Sequence, residues 1–124
     1  MKAKTLWSKA DKRAGDWFRC CRCRARGRGG LECKGRIEWA HIVSRSVGLL
    51  RWHPLNAMPL CSAHHRYYTQ RPLEFAAFVG EKVRQSLNEF ERKARSRGEK
   101  PDPQFWIDWF TARKDTADTW NGKL

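Results

Sequence analysis

Two short pairs of metal-binding side chains, Cys20-x-x-Cys23 and Cys61-x-x-His64, stand on either side of a long insert and constrain this chain more than any other feature. A C-x-x-C knuckle turns its backbone tightly enough to aim both sulfurs at one ion, and thiolate with imidazole suits tetrahedral zinc. A closed site of four ligands would tie the N-terminal part of the chain to its middle and reinforce a small core. Reinforcement matters at 124 residues, where one domain with a modest core is the expectation. Cys21 and Cys33 are spare thiols, and Cys33 is an alternative to His64 in the fourth position. Met1-Lys2-Ala3-Lys4 leads into charged sequence rather than an apolar leader, so a cytoplasmic, reducing setting is expected, where five cysteines serve as ligands rather than disulfides. No apolar run approaches the roughly 20 residues of a membrane span, so no membrane partner is expected.

The chain carries 26 Lys+Arg against 13 Asp+Glu, a formal +13. The excess is confined to one part: residues 1–98 hold 22 basic and 8 acidic side chains, whereas residues 99–124 hold 4 and 5. Arg19, Arg22, Arg24, Arg26, Arg28, Lys34 and Arg36 crowd into one stretch. Such a field attracts polyphosphate through counterion release without choosing among base sequences. Charge alone therefore indicates a polyanion partner or a merely solvated basic face.

Hydrophobic spacing predicts a small α+β domain. Residues 2–18 read as an amphipathic helix, with Leu6, Ala10, Ala14, Trp17 and Phe18 near one face. The glycine-rich segment 24–30 reads as loop, and residues 36–43, short with β-branched and aromatic side chains, as a strand. A helix should open within 60–70, with Ser62 as its cap, and Pro72 fits a first helical turn. Phe75, Val79, Val83, Leu87, Phe90 and Ala94 recur at spacings of three and four and predict one long core-packing helix over 73–95. Residues 96–104 read as a linker, after which Phe105, Trp106, Trp109 and Phe110 form a short aromatic helix docked on the body. The organisation expected is thus a main domain over 1–98 and a docked segment over 99–124.

Within that frame, His41 falls on the strand, Asn56 in the following loop and His65 at the helix start. Hydrolysing a phosphodiester requires a base to activate water, a group to hold that base and a divalent ion on the phosphate. Taken together with the cysteine knuckle, Trp39-Ala40-His41-Ile42, Ser44-Arg45, Arg51-Trp52-His53-Pro54-Leu55-Asn56 and Leu60-Cys61-Ser62-Ala63-His64-His65, the segment from Cys20 to Pro72 resembles the HNH endonucleases of the ββα-metal type, most of all the small phage and prophage members. The stretch closing that motif commonly reads C-x-x-C-H, with Cys61, His64 and His65 in the corresponding places.

The resemblance implies a zinc-stabilised ββα-metal fold with added helices at both ends, and assigns roles by position. His41 resembles the general base, Asn56 the residue that fixes the backbone around it, and His65 the ligand of a catalytic Mg²⁺ or Mn²⁺. Structural zinc would fall to Cys20, Cys23, Cys61 and His64, because His65 is rotated about 100° around the helix from its neighbour. Ala40 stands where many members carry Asp or His beside the catalytic ion. Glu38, three residues before His41, is expected to point elsewhere on the strand. His53, Asp and Glu from another segment, or phosphate and water, are candidates to complete the shell.

Arg45 and Arg51 read equally as phosphate contacts or exposed charge, and Arg22, Arg24, Arg26 and Arg28 would hold the DNA backbone. Trp39 and Trp52 read as core more readily than as site residues. The implied activity is nicking of double-stranded DNA by a monomer or weak dimer in a bacterial host cytoplasm, with a phage packaging or assembly protein as a possible partner. The alternative is a zinc-braced DNA-binding protein without catalysis.

Overall fold

The computed structural model describes residues 3–122; the expected helix start at Lys2 and the final Lys123 and Leu124 lie outside the described residues. Helix α1 (Ala3–Arg19) leads through an irregular segment into strand β1 (Ile37–His41). Strand β2 (Ala57–Cys61) returns antiparallel, pairing Ile37 with Cys61 at one end and His41 with Ala57 at the other. Helices α2 (Ser62–Thr69), α3 (Pro72–Val79), α4 (Glu81–Ser96) and α5 (Pro103–Ala112) follow. The protein is therefore a small α+β fold built on a two-stranded antiparallel sheet. No helix among the described residues is long and apolar enough to cross a membrane.

Two apolar clusters flank the hairpin. In the first, the i, i+4 positions Ala10, Ala14 and Phe18 of α1, with Trp17, meet Trp106, Ile107 and Phe110 of α5. Asp102 caps α5 by accepting from the Phe105 N–H at 3.0 Å, and Pro103 occupies its first turn. The Trp17 indole donates to the Arg113 carbonyl at 2.9 Å, so the aromatic C-terminal segment is bonded as well as packed onto α1. Phe18 is fully enclosed, and its truncation to Ala would cost about 3–5 kcal/mol. The second cluster gathers Ala40, Met58, Leu60, Tyr68 and Val79 behind the sheet.

The structure departs from the sequence reading at three places. Residues 57–61 form β2, and the helix begins only at Ser62, with Cys61 as the capping residue. The long helix expected over 73–95 is two helices, broken at Gly80, whose φ of +84° lies in the left-handed region open to glycine. The apolar stripe runs in phase across the break, which hides it from periodicity. Of the stripe, Val79, Leu87 and Ala94 are buried while Phe90 remains 38% exposed.

Candidate functional site

A group of four ligand atoms from Cys23, Cys33, Cys61 and His64 lies with every pair within 4.8 Å. Three sulfurs and one imidazole nitrogen are the donor set of a closed zinc site, and Zn–S bonds of about 2.3 Å place tetrahedral ligands at such spacings. The cluster could hold a metal ion such as zinc. His64 Nε2 lies 3.1 Å from the Arg28 carbonyl, to which it donates, leaving Nδ1 directed at the sulfurs of Cys61 (3.1 Å), Cys23 (3.7 Å) and Cys33 (3.7 Å). A ligating histidine fixed through its other ring nitrogen is the usual arrangement at metal centres. Burial raises the Cys61 thiol, but the backbone N–H and ring of His64 outweigh it and bring the group down to about 6, so it is a thiolate at neutral pH. Burial together with the neighbouring sulfurs of Cys23 and Cys61 pushes Cys33 up to about 11.

This arrangement corrects the expected ligand set. Cys20 is exposed at the end of α1 and outside the cluster, and Cys33 takes its place. The α1 helix runs on through Arg19, so Cys20 and Cys21 belong to its terminal turn, with N–H groups bonded back to Trp17 and Phe18. The C-x-x-C pair consequently does not act as a knuckle. Cys33 arrives instead on a loop laid over the start of α2, where Ser62 and Ala63 donate to the Arg36 and Lys34 carbonyls. Gly35 makes that approach possible: its φ is +80°, and a Cβ there would sit 2.6 Å from Ser62. Cys21 is buried in the first core cluster, and burial pushes its thiol up to about 12.

At the other end of the hairpin, the Nε2 of His41 lies 3.2 Å from the Arg51 carbonyl, its acceptor, which leaves Nδ1 as the basic nitrogen. Burial, with Arg45 and Arg51 nearby, pushes His41 down to about 4, so the ring is neutral at physiological pH. Asn56, fully buried, closes the 42–56 loop around it. Its Oδ1 accepts from the Val43 N–H at 2.6 Å, and its amide donates to the Val43 and Leu50 carbonyls at 3.1 and 2.9 Å. The Trp39 ring lies 4.2 Å from that of His41, and the fully buried Trp52 belongs to the core.

His41 borders two cavities. One, of about 430 Å³, also has His65, Tyr68, Phe75 and Arg84 on its walls. The other, of about 360 Å³, collects Arg19, Arg36, Glu38 and Arg45 around the histidine. His65 thus shares a wall with His41 and stays apart from the Cys23, Cys33, Cys61 and His64 cluster. Its Nδ1 lies 2.8 Å from Glu38 Oε1, and that hydrogen bond holds the Glu38 carboxyl below the usual range. Glu38 does lie on the opposite face from His41, but this is the face that α2 covers. His53, considered for the ion, is buried against Phe90 and Trp106 and accepts from the Leu55 N–H, well inside the loop.

Of the arginines expected to meet DNA, Arg22, Arg26, Arg28 and Arg45 are exposed. Arg24 is half-buried, reaches the Trp120 carbonyl at 3.4 Å, and is less available than expected. Arg51 is committed internally: its Nε and Nη2 donate to the two carboxylate oxygens of Asp11 at 2.9 and 2.7 Å. Trp52 donates to the same carboxylate at 2.8 Å. Burial raises the Asp11 carboxyl, yet the Arg51 and Trp52 hydrogen bonds and the Arg45 charge hold it below the usual range. Asp11 and Arg84 escape the sequence reading of the site, Arg19 and Arg36 enter it only through the density of basic residues, and Glu38 figures there as a carboxylate pointing elsewhere on the strand. Compared with protein-family models, curated proteins and solved structures, the chain matches none.

Proposed function

We propose that this protein is a metal-dependent endonuclease that hydrolyses double-stranded DNA, with His41 as general base. The observation that carries the reading is a neutral, oriented His41 bordering the same cavity as His65. A buried imidazole whose Nε2–H is held by a backbone carbonyl offers its Nδ1 lone pair to a water, and its neutral form is the one that accepts a proton. A phosphate beside the ring would raise its pKa toward the working pH, since a nearby anion favours the imidazolium. Asn56 holds the loop whose Arg51 carbonyl orients the ring. Arg19, Arg36 and Arg45, beside His41, suit contacts to the strand backbone.

In the reaction, His41 takes a proton from water as the water oxygen attacks phosphorus. The bond to the 3′ oxygen then breaks, and that oxygen picks up a proton from solvent. A divalent ion bound through His65 would supply charge stabilisation for the phosphate and the leaving oxygen. Zinc at Cys23, Cys33, Cys61 and His64 would be structural, since all four positions are taken by protein. A single site cuts one strand, so nicking precedes double-strand breaks.

The test is zinc-loaded protein with supercoiled plasmid and Mg²⁺ or Mn²⁺. Relaxed circles should appear before linear product, and His41→Ala should abolish cleavage while keeping zinc and DNA binding. Failure to nick with any divalent ion, alongside salt-sensitive binding that His41→Ala leaves intact, would favour the binding module instead. Ala40, apolar and buried where a second cation ligand is expected, is the observation on that side.

A further inference from the structure

Ala40 offers no donor atom, yet the same face of β1 carries one two residues earlier. Side chains at i and i+2 of a strand share a face, so Glu38 projects with Ala40 toward α2. There its Oε1 lies 2.8 Å from His65 Nδ1, and its Oε2 accepts from the Ser62 hydroxyl at 3.3 Å. The carboxylate is thus anchored at both oxygens between the strand and the first turn of the helix. Glu38 is only partly exposed, as is His65.

We propose that Glu38 is the positioning residue of a divalent-cation site on His65: it holds the His65 proton on Nδ1 and leaves Nε2 as the ligand atom toward the cavity shared with His41. This rests on the endonuclease reading and supplies what Ala40 lacks by another route. An imidazole whose N–H is given to a carboxylate is fixed in tautomer and orientation and is a more basic ligand. One strong ligand held in place then does part of the work usually divided between two. Glu38 acts through His65 and need not touch the ion.

Mn²⁺ binding to the zinc-loaded protein, followed by calorimetry, together with ¹⁵N shifts of the imidazoles, tests this directly. Glu38→Ala should weaken Mn²⁺ binding about 10- to 100-fold, the usual consequence of removing such a partner, with zinc content and melting temperature unchanged. Glu38→Gln keeps an acceptor for the Nδ1 proton and should recover part of the loss. In the parent at pH 7.5, His65 should carry its proton on Nδ1 alone, and Glu38→Ala should release a mixture of tautomers. Mn²⁺ affinity within twofold of the parent in Glu38→Ala, or a parent His65 whose neutral ring carries its proton on Nε2, would overturn the proposal. A parent protein that binds no Mn²⁺, or binds it unchanged in His65→Ala, would instead remove the cation from the endonuclease reading itself.

Discussion

Replacing Asp11 by alanine should be the most damaging change of a partly exposed residue in this protein. The carboxylate receives two charge-assisted hydrogen bonds from Arg51 and a third from the Trp52 indole, and ties α1 to the loop that carries the acceptor of His41. Its side chain is 25% exposed and that of Arg51 is 22% exposed, so solvent screens the pair only in part. Discounted for that exposure, the two arginine bonds contribute about 1 kcal/mol each, and the stranded indole N–H costs about another 1 kcal/mol. A loss of about 3 kcal/mol corresponds to roughly 11 °C in melting temperature, given about 2.1 cal/mol/K of unfolding entropy per residue. Thermal unfolding of the zinc-loaded protein, followed by circular dichroism, measures it. Asp11→Asn, whose single carbonyl oxygen can still accept from Arg51 Nε and the Trp52 indole while its NH2 group cannot accept from Arg51 Nη2, should lose about half as much. The exposed Lys12–Asp16 pair supplies the control, since its removal should cost less than about 0.5 kcal/mol. A drop below about 4 °C for Asp11→Ala would refute the reasoning. The contribution has a defined pH window as well: the depressed Asp11 carboxyl stabilises the fold fully above the unfolded value near 4, and the stabilisation is lost as pH falls through the lower folded value.

Three further outcomes follow from the metal cluster and the buried rings. Cys33→Ser should lose bound zinc, whereas Cys20→Ser should retain one equivalent, as read by metal analysis after dialysis; equal retention by both would contradict the cluster. Gly35→Ala should weaken zinc retention and lower the melting temperature, since its φ of +80° and the Ser62 contact leave no room for a methyl group; wild-type behaviour in both assays would count against that account. Burial lowers His53 to about 4, below its unfolded value of about 6.5, so the unfolded chain takes up a proton that the native state refuses. Stability should therefore fall by about 3 kcal/mol as pH drops from 6.5 through 4, and His53→Asn, which preserves a capping acceptor, should remove that part of the loss in urea unfolding at matched zinc. An unchanged pH dependence in the variant would show that His53 carries none of it.

What could be read before any coordinates was local in character. The α1 stripe, the short aromatic helix after the linker and the separation of His64 from His65 all follow from spacing within a few residues. Cys33 lay beyond that reach because no short ligand spacing marks it; a loop turned by Gly35 brings it over α2. Gly80 was hidden because the apolar period stays in phase across the break. Arg51 looked available to phosphate because its partner, Asp11, lies on another element. Glu38 was placed on the correct face of its strand, but what covers that face is a tertiary fact.

The pairing of Ile37 with Cys61 gives the sulfur cluster a second consequence. A ribbon of two five-residue strands can slip, and a shift of one position turns every side chain to the opposite surface. By seizing Cys61 at one extremity, the cluster pins the alignment and thereby decides where His41 looks, four residues away. Extra residues spliced into the 42–56 connection should leave that alignment intact. A single residue inserted between Ile37 and His41 should invert the strand beyond it, leaving a zinc-replete protein with its histidine facing the wrong way.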